Sequence, residues 1–271
     1  MKYLIFSDLD GTLLDHHTYS VQIAKKALAA LYLRNIPVVF CSSKTFQEQF
    51  FLQKKLKYDV PFIIENGSAI VYSNKYFDIE PANSVRLSDT HNLLPLADKD
   101  INYIYSVLKK IKCKSDAKFY GITEASNEEI AVATGLKGAA IKRAKQRWYT
   151  NTLLSSLPDQ NDIDALENHG LCLSQGGRFL TIQDKTIDKG KAVRMVVQFF
   201  ATQWKNIPLT IGIGDSLNDI PMLTVVDKPF LVQKPDKTWA DVKLDGLTKI
   251  NKPGPEGFLE MASLLLSDGI V

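Results

Sequence analysis

Short apolar runs alternate with segments of helical spacing in the first part of this 271-residue chain and again towards its end. The runs Tyr3–Phe6, Pro37–Cys41 and Leu209–Ile213 have the length and composition of strands buried on both faces. After the first run, apolar residues at helical spacing predict a helix that Ser20 caps and that ends near Arg34. Strands that alternate with helices in this way predict parallel strand pairs joined by helical crossovers.

Further elements continue the pattern. A helix over Phe46–Lys57, with Phe50 and Phe51 facing the sheet, leads to a third strand at Pro61–Ile64. The Asn-Gly turn after that strand, followed by an apolar run that ends at Tyr72, is typical of a hairpin. The last predicted elements are a strand at Phe230–Val232 and a closing helix at Gly257–Leu266.

The middle of the chain has a different character, and Pro81–Ser84 has the composition of a linker. Its predicted elements are helices at Ile101–Ile111, Glu128–Thr134 and Leu136–Trp148, and a hairpin of Leu171–Ser174 with Arg178–Ile182. We therefore expect an α/β protein with a doubly wound, mostly parallel sheet formed by residues 1–82 and 187–271. A smaller α+β domain of residues 83–186 is inserted into it.

Two carboxylates stand at the end of the first strand, where Gly11 lets the chain turn. Asp8 and Asp10 point the same way along an extended backbone, and such a pair repels unless a cation or a shared proton relieves it. Since open α/β sheets bind ligands at the carboxyl ends of their strands, the pair predicts a metal-assisted carboxylate site. The alternative is a turn in which both aspartates only bind the backbone.

Polar residues also follow the other strands. Ser42 can donate to a phosphate oxygen beside a helix N-terminus, although Ser-Ser-x-Thr is also ordinary helix capping. Lys189 lies in the first turn of a helix, where a cation is unfavourable unless an anion lies opposite; the alternative is a solvated surface charge. Asp215, Asn218 and Asp219 follow a late strand and offer the oxygen ligands that Mg²⁺ prefers.

These four motifs, in this order and each at a strand end, resemble those of the haloacid dehalogenase superfamily of phosphatases. Asp8–Thr12 resembles its first motif, and Gly214–Asp219 resembles its fourth. Ser42 matches the second motif, and Lys189 matches the third.

The resemblance implies phosphate-ester hydrolysis through an aspartyl-phosphate. Asp8 would attack phosphorus, and Asp10 would protonate the leaving group and then activate water. Mg²⁺ would be held by the carboxylates of Asp8 and Asp215 and by the backbone carbonyl of Asp10. Asn218 and Asp219 would orient its waters, and the lysine of the third motif would hold the phosphate and the nucleophile.

Over nearly the whole chain, longer stretches resemble the mannosyl-3-phosphoglycerate phosphatase family. They are Ser42–Thr45, Pro61–Ile70, Thr134–Tyr149, Gly176–Phe179 and Asp188–Ala192. The resemblance implies that the inserted domain is a C2-type cap and that the substrate is a glycosylated 3-phosphoglycerate, with mannosylglycerate as product. The chain departs from that family at Asn151, where an acidic residue is usual, and this leaves the sugar open.

Several residues are candidates for contact with the substrate. Arg178 is the candidate for the glycerate carboxylate, because a guanidinium can donate two parallel hydrogen bonds to it. Arg147 and Lys44 are weaker candidates of the same kind. Glu65 and Asn66 follow the third strand and either line the cleft or only shape the turn. The remaining candidates are Ser42 and Ser43.

Composition narrows the class of protein. The net charge of +3 is too small to indicate a nucleic-acid or membrane partner, so we expect a small phosphorylated sugar or glycerate as partner. No apolar run approaches the ~20 residues of a membrane span, and no signal peptide precedes the first strand, so we expect a cytoplasmic protein. The three widely spaced cysteines predict buried thiols rather than disulfides or a zinc site. The sequence leaves the oligomeric state open.

Other functions remain open at this point. A phosphatase of the same fold that acts on glucosyl-3-phosphoglycerate or sucrose phosphate fits the same motifs. So does a phosphomutase, which returns the phosphoryl group to a sugar. A phosphate-binding protein without catalytic activity belongs to a different class, and it fits less well because every catalytic residue type is present.

Overall fold

The computed structural model describes residues 1–113, 119–155 and 157–267. In these ranges the chain forms a large sheet of nine strands and a small sheet of three. The strands are β1 (Tyr3–Ser7), β2 (Val38–Cys41), β3 (Phe62–Ile64), β4 (Ala69–Ser73), β5 (Val85–Arg86), β6 (His91–Pro95), β7 (Asn151–Thr152), β8 (Leu171–Gln175), β9 (Leu180–Asp184), β10 (Leu209–Gly214), β11 (Lys228–Gln233) and β12 (Thr248–Pro253). The α-helices are α1 (Gln22–Leu33), α2 (Phe46–Leu56), α3 (Ile101–Lys112), α4 (Asn127–Thr134), α5 (Ala139–Lys145), α6 (Gln160–Asn168), α7 (Lys189–Trp204), α8 (Ile220–Thr224) and α9 (Gly254–Ser267).

The large sheet has the strand order β12-β11-β10-β1-β2-β3-β4-β6-β5. The strands from β12 to β3 are parallel to one another, and β4, β6 and β5 complete the sheet with antiparallel pairs. In the middle of the sheet, Ser7 of β1 lies opposite Ile213 of β10 and Phe40 of β2. The chain therefore leaves these three strands at one edge of the sheet, and the predicted α/β fold with a mostly parallel sheet is confirmed.

Burial explains why the central strands can be predicted from the sequence. Every residue of β1 and β2 is buried, so both faces of these strands are covered and their sequences are almost continuously apolar. Leu28 of α1, Val193 of α7 and Phe258 of α9 belong to the same hydrophobic core. Each such side chain contributes about 1.5–3 kcal/mol relative to full exposure, so this core is a main source of stability.

The small sheet has a hydrophobic core of its own. Its strand order is β7-β9-β8, and the pairing of β8 with β9 confirms the predicted hairpin. Ile104 of α3 and Leu166 of α6 pack with Leu171 and Ile182 of this sheet, in a cluster separate from that of the large sheet. A third cluster joins α4 and α5. These separate cores favour the predicted inserted α+β domain, which we call the inserted module from here on.

The start of the inserted module needs correction. Residue 83 was its predicted first residue, but β5 and β6 pair with each other, and β6 pairs with β4 in the large sheet. Pairing at the edge of a sheet leaves no composition change in the sequence, and the polar residues around Pro81 resemble a linker instead. The division of the chain into two domains remains a prediction. With its first boundary moved beyond Pro95, the inserted module comprises residues 96–186.

Three local predictions were wrong, and the position of a helix cap differed by one residue. Val21 directly precedes α1, although the Ser20 hydroxyl accepts from Gln22 N at 3.3 Å, and the predicted helix over Leu136–Trp148 shortens to α5. Phe51 is half exposed, because Gln49 and Gln53 turn inward on α2 and donate to the carbonyls of Ile63 and Val60. The cysteines are not all buried, since Cys113 is exposed.

Strand β12 was not predicted. It has one buried residue, Ile250, and therefore no apolar pattern.

The described helices are all too short or too polar to cross a membrane.

Candidate active site

The residues that follow the central strands come together at one edge of the large sheet. Asp8 comes directly after β1, Asp215 after β10, and Lys189 opens α7. All three side chains are buried, with Lys189 only 1% exposed. The Lys189 Nζ lies 2.6 Å from Asp8 Oδ1 and 2.6 Å from Asp219 Oδ1. Residues separated by 30 to 181 positions in the chain thus form one buried charged group.

The beginning of α7 explains the position of Lys189. Asp188 caps this helix, because its Oδ1 accepts from the backbone N–H of Lys191. Gly67 has a φ of +99°, and a Cβ there would lie 2.1 Å from the carbonyl oxygen of Asp188. Only glycine therefore lets the turn after β3 approach so closely, and this contact holds the first turn of α7 against the large sheet.

Opposing charges set the protonation of Lys189. Burial alone lowers the pKa of a lysine, but the neighbouring Asp219 and Asp8 carboxylates outweigh it and raise the pKa of Lys189 above its ordinary value. The Lys189 ammonium therefore stays charged, and it is the anion-facing cation that the sequence pattern requires.

Three carboxylates crowd around this single cation. Asp8, Asp215 and Asp219 each place an oxygen within 4.8 Å of the others. Burial, with the nearby Asp219 charge, raises the pKa of Asp8 to about 7, despite the opposing effect of Lys189. Burial and the Asp8 and Asp219 charges also raise the pKa of Asp215 well above its ordinary value. This excess of negative charge favours a bound cation.

The orientation of the carboxylates indicates which of them are free to bind one. Oδ2 of Asp219 accepts from the backbone N–H groups of Asp215 and Ser216, at 3.0 and 3.1 Å, so both its oxygens have partners. Oδ1 of Asp215 is buried and has no hydrogen-bond partner among the described residues. A hard divalent cation binds oxygen ligands, and a buried carboxylate oxygen without a hydrogen-bond partner is available as such a ligand. These residues therefore fit a metal ion.

A cavity of about 110 Å³ opens beside this group, between the edge of the large sheet and the inserted module. Asp8, Asp10 and Lys44 line it from the sheet side. Arg147 and Arg178 line it from the inserted module. The cavity is therefore lined by both carboxylates and cationic side chains, which suits a ligand with a phosphate and further oxygen atoms.

Asp10 is paired with one of these cations. Its Oδ2 lies 2.9 Å from Lys44 Nζ, while its Oδ1 is buried and has no hydrogen-bond partner in the described ranges. Lys44 also lies 3.4 Å from Glu48 Oε1. Burial opposes the charge of Lys44, but Asp10 and Glu48 outweigh it and raise the pKa of Lys44. The Lys44 ammonium thus holds Asp10 at the rim of the cavity.

The two serines of the second motif differ in position. Ser42 is buried and outside the cavity lining, and its Oγ accepts from the backbone N–H of Lys44 at 3.3 Å. Ser43 lines the cavity, and its carbonyl accepts from the Arg147 guanidinium at 2.7 Å. Lys44 follows directly and brings the only ammonium of this loop to the cavity wall.

Asn66 and Asn218 form a chain of amides. Asn218 Nδ2 donates to Asn66 Oδ1 at 3.2 Å, and Asn66 Nδ2 donates to Gln183 Oε1 at 3.0 Å. Asn218 lines the cavity beside the carboxylates, whereas Asn66 lies behind it. The structure therefore places Asn66 as a support for Asn218 and as a link to the β9 strand of the inserted module.

Glu65 lies away from the cavity and binds the backbone of the inserted module. Its side chain is fully buried and accepts from Trp148 N at 2.8 Å and Tyr149 N at 3.1 Å. It also accepts from the Thr150 hydroxyl at 2.7 Å. These contacts favour a role in holding the module against the sheet, rather than the predicted contact with substrate.

Replacing Glu65 with alanine should lower the free energy of unfolding by about 2–4 kcal/mol, because one buried and two partly buried donors would lose their acceptor. Urea denaturation followed by circular dichroism measures this change. Glu128→Ala, at an exposed position on α4, is the matched control and should change the free energy of unfolding by less than about 0.5 kcal/mol. Equal stability of the two variants would show that Glu65 does not hold the module.

The two arginines are also placed differently. Arg147 is buried and donates to the Thr150 hydroxyl at 2.9 Å as well as to Ser43. Arg178, at the tip of the hairpin, is exposed, and its guanidinium donates to the Tyr19 hydroxyl and to the carbonyl of Thr134. Both line the cavity, but only Arg178 has a side chain that remains accessible to a ligand.

Sequence reasoning missed several residues of the cavity wall. His16, Tyr19 and Glu48 line it from the large-sheet side, and Thr134 lines it from the end of α4. None belongs to a motif of paired polar residues at a strand end, so no local pattern marked them. The unusual position Asn151 is fully buried outside the lining, where it accepts from the Thr123 hydroxyl at 2.9 Å.

Known proteins share both the sequence and the fold. The haloacid dehalogenase-like hydrolase family matches residues 5–238. The chain is 36% identical to a glucosyl-3-phosphoglycerate/mannosyl-3-phosphoglycerate phosphatase of Persephonella marina, over 98% of this chain and 97% of that protein. It is 40% identical to a protein of the same description from Methanococcoides burtonii, over 87% of this chain and 86% of that protein.

Solved structures agree on the fold. A protein of Thermoplasma acidophilum superposes with a TM-score of 0.64 at 15% identity, covering 100% of both chains. A phosphatase of the haloalkanoate enzyme superfamily from Bacteroides thetaiotaomicron gives a TM-score of 0.65 at 15% identity, over 100% of this chain and 96% of that one. At these identities the likeness extends to the fold alone.

Proposed function

Because this chain belongs to the haloacid dehalogenase-like hydrolase family, we propose that it is an Mg²⁺-dependent phosphatase that hydrolyses a glycosyl-3-phosphoglycerate. The observation that carries the proposal is the buried group of Asp8, Lys189, Asp215 and Asp219, because Asp8 of this group lines a cavity that is also lined by Lys44, Arg147 and Arg178. Two relatives that are similar along most of the chain are named as phosphatases of glucosyl- and mannosyl-3-phosphoglycerate, which supports this substrate class.

Asp8 would act as the nucleophile. Its carboxylate oxygen forms a bond to phosphorus while the bond from phosphorus to the leaving oxygen breaks, which gives an aspartyl-phosphate. Lys189, at 2.6 Å from Asp8, favours the ionised carboxylate and offsets the negative charge of the phosphate oxygens. The position of Asp8 at the cavity wall gives a phosphate ester access to this oxygen.

Asp10 would transfer the proton. It donates a proton to the leaving oxygen as the ester bond breaks, and the free alcohol departs. It then takes a proton from the water that attacks the aspartyl-phosphate, which releases inorganic phosphate and restores Asp8. Its unpartnered Oδ1 and its place in the cavity wall support this role.

Mg²⁺ would be held by the carboxylates of Asp8 and Asp215 and by the backbone carbonyl of Asp10. Asn218 and Asp219 would orient the waters around it. The bound ion would offset the charge of the phosphate and of the crowded carboxylates. The unpartnered buried oxygen of Asp215 and the raised pKa values of Asp8 and Asp215 support this assignment.

The walls of the cavity would bind the rest of the substrate. Lys44 and Arg178 supply positive charge for the glycerate carboxylate, and the Arg178 guanidinium can donate two parallel hydrogen bonds to it. Arg147 is fixed by Ser43 and Thr150, so it contributes charge and shape rather than a mobile contact. The sugar would lie beyond these cations, against the inserted module.

A substrate panel tests the proposal. Phosphate release would be measured with Mg²⁺ and equal concentrations of glucosyl-3-phosphoglycerate, mannosyl-3-phosphoglycerate, sucrose phosphate and para-nitrophenyl phosphate. We expect kcat/KM for one or both phosphoglycerates to exceed that for the other two compounds by at least about tenfold, the effect of one or two charge-assisted contacts. Failure to release phosphate from either phosphoglycerate would overturn the proposal, and a preference for sucrose phosphate would reassign the substrate.

Mg²⁺ should stabilise the protein more at alkaline than at acidic pH. The pKa of Asp8 is raised to about 7 in the folded protein, so protonation of Asp8 favours the folded state. This contribution to stability is complete below the pKa of Asp8 in the unfolded chain and disappears as the pH rises through 7. Above that pH the ionised carboxylates repel one another, and a divalent cation relieves the repulsion. At saturating Mg²⁺ we expect the melting temperature to rise by about 5–10 °C near pH 8 and by less than half as much near pH 5.

Differential scanning fluorimetry of metal-stripped protein, with and without Mg²⁺, measures this effect. Asp215→Asn removes one metal-binding carboxylate and should abolish the Mg²⁺-dependent increase at both pH values. The exposed substitution Asp245→Asn is the control and should leave the increase unchanged. An equal increase at the two pH values would contradict the role of these carboxylates.

A further inference from the structure

One residue of the cavity wall lies in a strained backbone conformation. Tyr19 has a φ of +55°, in the left-handed region that bulky residues seldom adopt. Asp15 maintains this conformation, because its carboxylate accepts from the backbone N–H and the hydroxyl of Thr18, and its carbonyl accepts from Tyr19 N at 2.9 Å. The loop after the first motif is thus built to direct Tyr19 into the cavity.

The Tyr19 hydroxyl joins three parts of the chain. It donates to the carbonyl of Thr134 at 3.0 Å and accepts from the Arg178 guanidinium. Thr134 is the last residue of α4, whose final carbonyls have no partner within the helix. Arg178 also donates to the same carbonyl at 3.3 Å. Loop, helix end and hairpin tip therefore meet at one hydroxyl, although the helix end and the hairpin tip lie 115 and 159 residues after Tyr19 in the chain.

Two cations of the cavity lie near the ring of Tyr19. Lys44 Nζ is 4.9 Å from the ring centroid, and Arg178 Cζ is 5.8 Å from it. Such distances fall within the range of cation–π attraction. Burial raises the pKa of Tyr19, so the hydroxyl stays protonated and able to donate. The residue therefore contacts both Lys44 and Arg178 without contributing a charge.

We propose that Tyr19 is a positioning residue, which holds the Arg178 guanidinium and the end of α4 over the cavity where the part of the substrate beyond the phosphate binds. The inference rests on the proposed function for its choice of substrate. A purely structural role of Tyr19 would affect the site whether or not Arg178 is present, whereas the effect of a positioning residue is transmitted through Arg178.

A double-mutant cycle with Tyr19→Phe and Arg178→Met tests this coupling. Phenylalanine keeps the ring and removes only the hydroxyl. With the preferred phosphoglycerate we expect the KM of Tyr19→Phe to rise about tenfold, the effect of losing one hydrogen bond to a charged group, with kcat reduced less than about threefold. The double variant should be no more than about twofold worse than Arg178→Met alone, because Tyr19 acts through that arginine.

Two outcomes would overturn the proposal. If the losses of the two single variants multiply in the double variant, Tyr19 acts independently of Arg178. If kcat falls as much as KM rises, or if para-nitrophenyl phosphate hydrolysis falls by the same factor, the residue only maintains the site. Tyr103→Phe is the matched control, because its hydroxyl donates to the His169 carbonyl on the inserted module and lies outside the cavity lining. It should leave all these constants unchanged.

A measurement without substrate keeps this proposal separate from the proposed function. Hydrogen–deuterium exchange of the ligand-free protein should be faster in Tyr19→Phe at residues 175–180 and 130–136, which contain the hairpin tip and the end of α4. The same peptides should be unchanged in Tyr103→Phe. Unchanged exchange in Tyr19→Phe would contradict the positioning role. Absence of phosphoglycerate hydrolysis by the unsubstituted protein would instead overturn the proposed function alone.

Discussion

Asp8→Asn should reduce phosphate release by at least about 10⁴-fold, because the amide that replaces the carboxylate cannot form the aspartyl-phosphate. The unsubstituted protein, quenched with acid during turnover, should carry a covalent phosphate on the peptide that contains Asp8. The variant should carry none. Mass spectrometry of the quenched protein, together with steady-state phosphate release, measures both quantities.

The same variant should remain folded, which separates lost chemistry from lost structure. Asparagine has nearly the shape of aspartate, and the substitution removes one of three carboxylates that repel one another. Lys189 keeps its partner Asp219 at 2.6 Å. We therefore expect the melting temperature to change by less than about 3 °C. Asp245→Asn, at an exposed position, serves as control for both measurements, and phosphate release by Asp8→Asn near the unsubstituted rate would exclude Asp8 as the nucleophile.

The part of the site predicted from sequence is the part that strand geometry determines. β1 and β10 are recognisable because every residue of β1, and nearly every residue of β10, is buried between layers. Asp8 and Asp215 come directly after these strands, and level parallel pairing brings such positions together without further information. Lys189 was predicted from its match to the third motif, since a lysine in the first turn of a helix is unfavourable without a nearby anion but can also be a solvated surface charge.

The role of Glu65, which was a candidate for substrate contact, and the presence of Tyr19 in the cavity wall depend on contacts between distant parts of the chain. Glu65 accepts from residues 83 to 85 positions later, and Tyr19 donates to a carbonyl 115 positions later. Neither belongs to a periodic pattern, and their neighbours in sequence give no sign of these partners. The edge strands β5 and β12 were missed because exposed residues dominate them. Local patterns therefore locate the chemistry, while the joining of the inserted module to the sheet depends on the folded structure.

Lys189→Met should lower the free energy of unfolding by about 3–5 kcal/mol near neutral pH, because it leaves buried carboxylates without their cation. Because the pKa of Lys189 is raised in the folded protein, its contribution to the free energy of unfolding is complete below the pKa of lysine in the unfolded chain and is lost only at strongly alkaline pH. At neutral pH the substitution should therefore remove the whole contribution. Near pH 5 the loss of stability should be smaller, because Asp8 takes up a proton and no longer needs the lysine as its counter-ion.

A second substitution separates this electrostatic cost from the loss of packing. Adding Asp219→Asn to Lys189→Met removes one of the two carboxylates left unpaired and should restore about 1–2 kcal/mol of the lost stability in urea denaturation. Activity should stay about 10²–10³-fold below that of the unsubstituted protein, because the Lys189 ammonium no longer faces the phosphate oxygens. Lys191→Met, two residues further along α7 and exposed, is the matched control and should change neither property. If Lys189→Met were as stable as Lys191→Met at neutral pH, the buried lysine could not be the counter-ion of these carboxylates, and the charge balance on which the active site depends would have to come from elsewhere.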